Sequence, residues 1–123
     1  MKGEQKIHKN SESSTRETVR TALISLQKGL RQIYGSQAPV LLVYGSYARG
    51  DEITTSDVDV LLMYSKSIKP GQEIKRVSSL LAELNLRYQV LISILPVEEK
   101  QYRSADSIFW HILRNEGVPI EQI

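Results

Sequence analysis

Asp57 and Asp59, one residue apart, are the side chains of this sequence best placed for chemistry. They close a run, residues 45–59, that reads Gly-Ser-Tyr-Ala-Arg-Gly-Asp-Glu-Ile-Thr-Thr-Ser-Asp-Val-Asp. On a strand, residues i and i+2 project to one face, so the two carboxylates stand side by side and Val58 turns to the opposite layer. Like charges this close repel, and one carboxyl holds its proton more tightly unless a cation lies between them. Hard ions such as Mg²⁺ take oxygen ligands and bind through one or two carboxylates plus substrate phosphates. Aspartate is a poor strand former. The apolar continuation Val60-Leu-Leu-Met63 nevertheless carries this strand into a core, so the pair calls for a chemical reason.

The start of the run suits a phosphate. Gly45 at a strand end lets backbone N–H groups approach an anion with no Cβ in the way, and amides at a turn or helix start favour phosphate. Ser46 adds a hydroxyl donor. Arg49 reaches either a phosphate or one of Asp51, Asp57 and Asp59. A P-loop is excluded: Gly45 and Gly50 have the Gly-x-x-x-x-Gly spacing, but Asp51-Glu52 follow where Lys-Ser or Lys-Thr is needed.

These residues need a scaffold, and the pattern supplies one. Residues 1–13 read as a polar, mobile leader, and residues 14–123 as one domain. Ser14-Thr-Arg-Glu17 has capping-box spacing. Val19, Leu23, Leu26, Leu30 and Ile33 follow at helical period, and Gly35 is a stop. Val40–Tyr44 forms a first strand, Tyr47–Gly50 a short helix, and Asp57–Met63 a second strand. Ile74, Val77, Leu80, Leu81 and Leu84 mark a helix ending near Asn85. Tyr88–Leu95 is a third strand closed by Pro96, Glu98–Arg103 a helical turn, and Ile108, Phe109, Ile112 and Leu113 lie on a last helix stopped by Gly117 and Pro119. Apolar strands alternating with helices imply an α/β layer with helices covering the sheet.

Bulk properties narrow the class. The 123 residues carry 16 basic and 14 acidic side chains, a net +2 that by itself gives no reason to expect nucleic acid as a partner. No cysteine is present, which excludes disulfides and thiolate metal sites and fits a cytoplasmic protein. The apolar runs are far too short to span a bilayer.

The run Gly45-Ser46, ten residues, then Asp57-Val58-Asp59 resembles the signature of the nucleotidyltransferase superfamily related to DNA polymerase beta. The fuller form, Gly-Ser-Tyr-Ala-Arg-Gly followed by Ser-Asp-Val-Asp-Val-Leu, is similar to its minimal nucleotidyltransferase (MNT) branch, and the tail Leu113-Arg-Asn-Glu-Gly117 looks like the endings of small bacterial members. The resemblance implies a small mixed β-sheet backed by helices. It implies transfer of a nucleoside monophosphate, AMP from ATP or its counterpart from another nucleoside triphosphate, to an acceptor hydroxyl. Carried over, Gly45, Ser46 and Arg49 hold the triphosphate, and Asp57 and Asp59 are the catalytic ligands of Mg²⁺.

Two departures bear on the acceptor. Members of this superfamily often carry a third carboxylate on a later strand. Here that strand has none: Ser93, sharing a face with Gln89, is the expected occupant, with Glu98 and Glu99 beyond Pro96 as acids that could reach back. About 30 residues follow the third strand, which points to an acceptor brought by another protein. The resemblance makes that partner a helical HEPN protein, with this chain as the antitoxin of a HEPN/MNT toxin–antitoxin pair. The alternative it leaves open is a nucleotide-binding module of weak or no activity that acts by binding the HEPN partner. An oligomer is compatible with either.

Overall fold

The computed structural model describes residues 2–53 and 57–123, with side chains from residue 16 onward. Thr54, Thr55 and Ser56 of the central motif lie outside the described residues. Strands β1 (Val40–Tyr44), β2 (Val58–Tyr64) and β3 (Ile92–Glu98) form one sheet in the order β1-β2-β3. β1 and β2 run antiparallel, and β2 and β3 run parallel. The parallel pair needs a crossover, supplied by α3 (Pro70–Tyr88).

Alternation along the strands decides which helix covers which face. Leu41 and Val43 of β1, Val58, Val60, Leu62 and Tyr64 of β2, and Ile92 of β3 pack with Val19, Leu23, Leu26 and Leu30 of α1 (Lys2–Tyr34) and with Val77 and Leu84 of α3. The intervening residues Leu42, Tyr44, Leu61, Met63, Leu95 and Val97 meet Tyr102 of α4 (Glu99–Ser104) and Trp110 and Leu113 of α5 (Ile108–Glu116). Asp59 and Ser93 belong to this second set by period. The helix α2 (Ser46–Arg49) fills the turn after β1.

Several boundaries differ from the sequence reading, and the larger differences have physical reasons. α1 runs from Lys2, so Ser14-Thr-Arg-Glu17 lies inside the helix and not at its start. α3 extends to Tyr88 and ends on Gln89 in the left-handed region (φ 52°). Asn85 Oδ1 then accepts the Ile92 N–H at 3.0 Å and steers the chain into β3. The first residues of the alternating run 88–95 therefore finish a helix, and Gln89 shares no strand face with Ser93. Finally, Pro96 sits within β3 and does not close it. β3 is an edge strand, where a residue lacking an N–H is tolerated.

The far end of β2 from Asp59 is tied by a buried polar relay. The Tyr34 hydroxyl donates to Glu73 Oε1 at 2.7 Å and lies 3.0 Å from the Tyr64 hydroxyl, and Arg76 stands 3.7 Å from Glu73 and over the Tyr34 ring. Glu73 is 4% exposed, so removing it takes the buried acceptor from the Tyr34 hydroxyl and the partner carboxylate from Arg76. Glu73→Ala is expected to lower unfolding stability by about 2–3 kcal/mol, read as a lower urea midpoint at unchanged slope. A midpoint within error of the parent would dismiss the relay as a fold determinant.

Candidate functional site

The site forms where β1 hands over to α2. Tyr44 pairs with Asp59, so the chain leaves β1 directly beside that aspartate. It turns at Gly45 with φ 75° and ψ −151°, a region that is essentially glycine's alone. A Cβ on Gly45 would stand 2.4 Å from Asp59 Oδ2. Glycine is thus required twice, for the backbone angle and for the approach of the turn to the carboxylate. Ser46 is the first residue of α2, at the end where unpaired N–H groups gather. Gly50, at φ 78°, ends the helix.

Asp59 is half-buried, and its carboxyl is held above the ordinary carboxylate range. Burial is the main cause. The charge of Asp57 adds to it, the Arg49 guanidinium opposes it, and the Glu116 carboxylate adds a smaller repulsion. Asp57 itself is exposed and precedes β2 by one residue, so only Asp59 of the pair lies within the strand. Arg49 is fixed by two acids: its Nε donates to Asp51 Oδ2 at 3.1 Å, and a terminal nitrogen stands 3.1 Å from Glu116 Oε1. Both bonds hold its proton more tightly than usual, Asp51 first.

Two carboxylates, one with its proton affinity raised by the other, form a donor set suited to a hard divalent cation that completes its shell with water and phosphate. Among the described residues no group of three or more His, Cys, Asp or Glu side chains is arranged to hold a metal ion. The third strand contributes a hydroxyl, since Ser93 is the register partner of Asp59 and is exposed. Glu98 and Glu99 do not reach back. Glu98 pairs with Tyr64 at the opposite end of β2, accepts the Ile68 N–H at 3.1 Å and caps α4, while Glu99 pairs with Arg103. Tyr47 of α2 is 2% exposed and belongs to the core.

The acid that does approach the turn comes from α5. Glu116 Oε1 accepts the Gly45 N–H at 2.6 Å besides meeting Arg49. Sequence reasoning marked the surrounding tail and assigned Glu116 no part, because a contact across 71 positions leaves no local signal.

A small mixed sheet with a Gly-Ser turn leaving one strand and an aspartate facing that turn from the next is a nucleotidyltransferase fold. The family model for the polymerase beta nucleotidyltransferase domain matches residues 31–116, and the chain belongs to that family. Two proteins of Methanocaldococcus jannaschii, each named as a candidate protein adenylyltransferase, are similar to it. One is 33% identical over 96 residues, covering 76% of this chain and 90% of its own length. The other is 28% identical over 94 residues, covering 76% and 86%. Among solved structures, a toxin–antitoxin crystallised with AMP-PNP superposes with a TM-score of 0.55 at 17% identity, over 82% of this chain and 71% of that one. A Sulfolobus solfataricus protein described as a candidate nucleotidyltransferase gives 0.55 at 16% identity, over 89% and 81%. A mutant of the toxin–antitoxin MntA-HpeT gives 0.53 at 14%, over 82% and 70%. No helix among the described residues is long and apolar enough to cross a membrane.

Proposed function

We propose that this chain is a Mg²⁺-dependent protein adenylyltransferase that moves AMP from ATP to a hydroxyl on a partner protein. The observation that carries the reading is the Gly45 turn lying against Asp59 with Arg49 and Asp57 alongside: phosphate-type donors and metal-type carboxylates meet at one strand end. The names of the two Methanocaldococcus relatives support protein as the acceptor. The toxin–antitoxin described with AMP-PNP supports ATP as the donor and a toxin as the partner, for which a HEPN-type helical protein is our candidate.

In this reading Gly45, Ser46 and Arg49 hold the triphosphate, and Asp57 and Asp59 hold Mg²⁺. The ion supplies charge neutralisation on the phosphates. The acceptor oxygen bonds the α-phosphorus, the α–β anhydride bond breaks, pyrophosphate leaves, and the hydroxyl proton passes to solvent. Such transfer depends on positioning and electrostatics more than on covalent chemistry by the protein, which suits a site with few reactive groups.

The test is a transfer assay with α-labelled ATP, Mg²⁺ and a co-purified partner. Label is expected on the partner and is expected to disappear with Asp57→Asn/Asp59→Asn. Undiminished labelling by that double variant would sink the assignment. A second reading has its own observation: Ser93 stands beside Asp59 where a third acid would serve. It makes the chain a nucleotide-binding module that neutralises its partner by association. That reading predicts ATP binding without pyrophosphate release, and neutralisation that survives the double variant.

A further inference from the structure

Glu116 ends α5, and its carboxylate stands at the turn that leaves β1, 21% exposed. One oxygen serves two donors, the Gly45 N–H and the Arg49 guanidinium. The backbone that carries it is pinned on both sides. Gly117 N–H closes the helix on the Leu113 carbonyl at 2.9 Å. Val118 then exchanges both of its backbone hydrogen bonds with Val43, at 2.7 and 2.8 Å, two residues before Gly45. A Cβ on Gly117 would come within 3.0 Å of the Leu113 oxygen, so the tail turns tightly at this point.

Two roles are chemically open to an acid so placed. It could be an anion that fills the phosphate seat until nucleotide displaces it, or a brace that shapes the seat. The pinning favours a brace: the backbone tied to β1 keeps the carboxylate within reach of the turn, where one oxygen already serves both Gly45 and Arg49. Asp51 and Glu116 hold different nitrogens of Arg49. Guanidinium has five N–H donors in a rigid fork, so two held positions fix its plane and leave others for phosphate.

We propose that Glu116 is a positioning residue for nucleotide binding: its carboxylate takes the Gly45 N–H, which fixes the turn that presents Ser46, and it aims Arg49 at the triphosphate. The inference rests on the assignment of Gly45, Ser46 and Arg49 to that triphosphate. Calorimetric titration with Mg²⁺ and AMP-PNP tests it on the full chain. Glu116→Ala is expected to weaken binding about tenfold, the size of a lost charge-assisted hydrogen bond. Glu116→Gln keeps an acceptor oxygen in place and is expected to stay within about threefold of the parent, and Glu116→Ala is expected to add little to Arg49→Ala, because the two act as a unit. Tighter binding by Glu116→Ala overturns the brace in favour of a plug. Unchanged binding by folded Glu116→Ala, or full additivity with Arg49→Ala, also overturns it while leaving the triphosphate assignment intact. Failure of the parent to bind Mg²⁺ and AMP-PNP sinks that assignment and the inference together. If Glu116→Ala does not fold, Glu116→Asp replaces it: affinity nearer the parent for Gln than for Asp supports placement, and the reverse order overturns it.

Discussion

Asp59→Asn is expected to raise the thermal stability of the ligand-free protein while reducing nucleotidyl transfer by at least about a hundredfold. The two effects have one cause. Burial and the neighbouring Asp57 charge hold the Asp59 carboxyl above its ordinary range, so the folded state binds that proton more tightly than the unfolded chain does. Such a group favours folding fully below its unfolded value, and the contribution is lost as pH rises through the folded value. Once ionised, Asp59 is therefore a poorly solvated charge working against the fold, and an uncharged isostere relieves it. The melting-temperature gap between variant and parent is expected to narrow as pH falls through the carboxylate range, where the parent also becomes neutral. Transfer responds the other way, since the proposed role of Asp59 as a metal ligand, worth several kcal/mol of charge stabilisation, is lost, each 1.36 kcal/mol being about tenfold in rate. Mg²⁺ with AMP-PNP is expected to raise the melting temperature of the parent far more than that of the variant, by mass action on the folded state. A variant that melts lower than the parent at every pH would show that Asp59 is a structural acid and not a strained functional one.

The elements that position this site were legible in the sequence to different depths. β1 was readable residue for residue, because an apolar pentad preceded by proline and followed by glycine has one reading. β2 was readable within one residue at each end, since its aspartates interrupt propensity and not period. β3 was displaced by four residues at its start. Tyr-Gln-Val-Leu alternates like a strand, but Tyr88 ends α3 and the Val90 N–H goes back to the Asn85 carbonyl, while the Leu91 carbonyl already accepts the Val58 N–H of β2. Local period cannot show that choice, which depends on where tertiary packing lets a helix stop. The shift left Ser93 on the Asp59 face, because it moved the boundary and not the register. The site residues were legible as types and spacing. Their environment was not: Glu116 arrived from the far end of the chain. The last helix was readable from its apolar residues, though their burial was not. Ile108, Phe109 and Ile112 remain at least half exposed, and Leu113 alone of the four is buried.

Gly45→Ala is the more severe test of the geometry, because one methyl group meets two separable obstacles. The first is the backbone. At φ 75° and ψ −151° an L-residue is strained by about 1–3 kcal/mol whatever surrounds it. The second is the neighbour: the new Cβ would lie 2.4 Å from Asp59 Oδ2 and 3.3 Å from its Cγ. Something must move. The turn itself is held by the Glu116 bond to its amide and by the Arg49 N–H on its carbonyl at 3.1 Å, so the carboxylate is the softer side. Asp59 is expected to rotate away, and transfer to fall as far as it does in Asp59→Asn, with a melting temperature below the parent's. The two obstacles separate in a double-variant cycle. Asp59→Ala deletes the carboxylate that clashes and leaves the backbone strain, so Gly45→Ala is expected to destabilise the Asp59→Ala protein less than it destabilises the parent. Equal destabilisation in both backgrounds would place the whole effect in the backbone and refute the close approach of the turn to Asp59. A Gly45→Ala protein with parental transfer would refute more, since the contact between turn and carboxylate is what brings the proposed phosphate donors and metal ligands to one place.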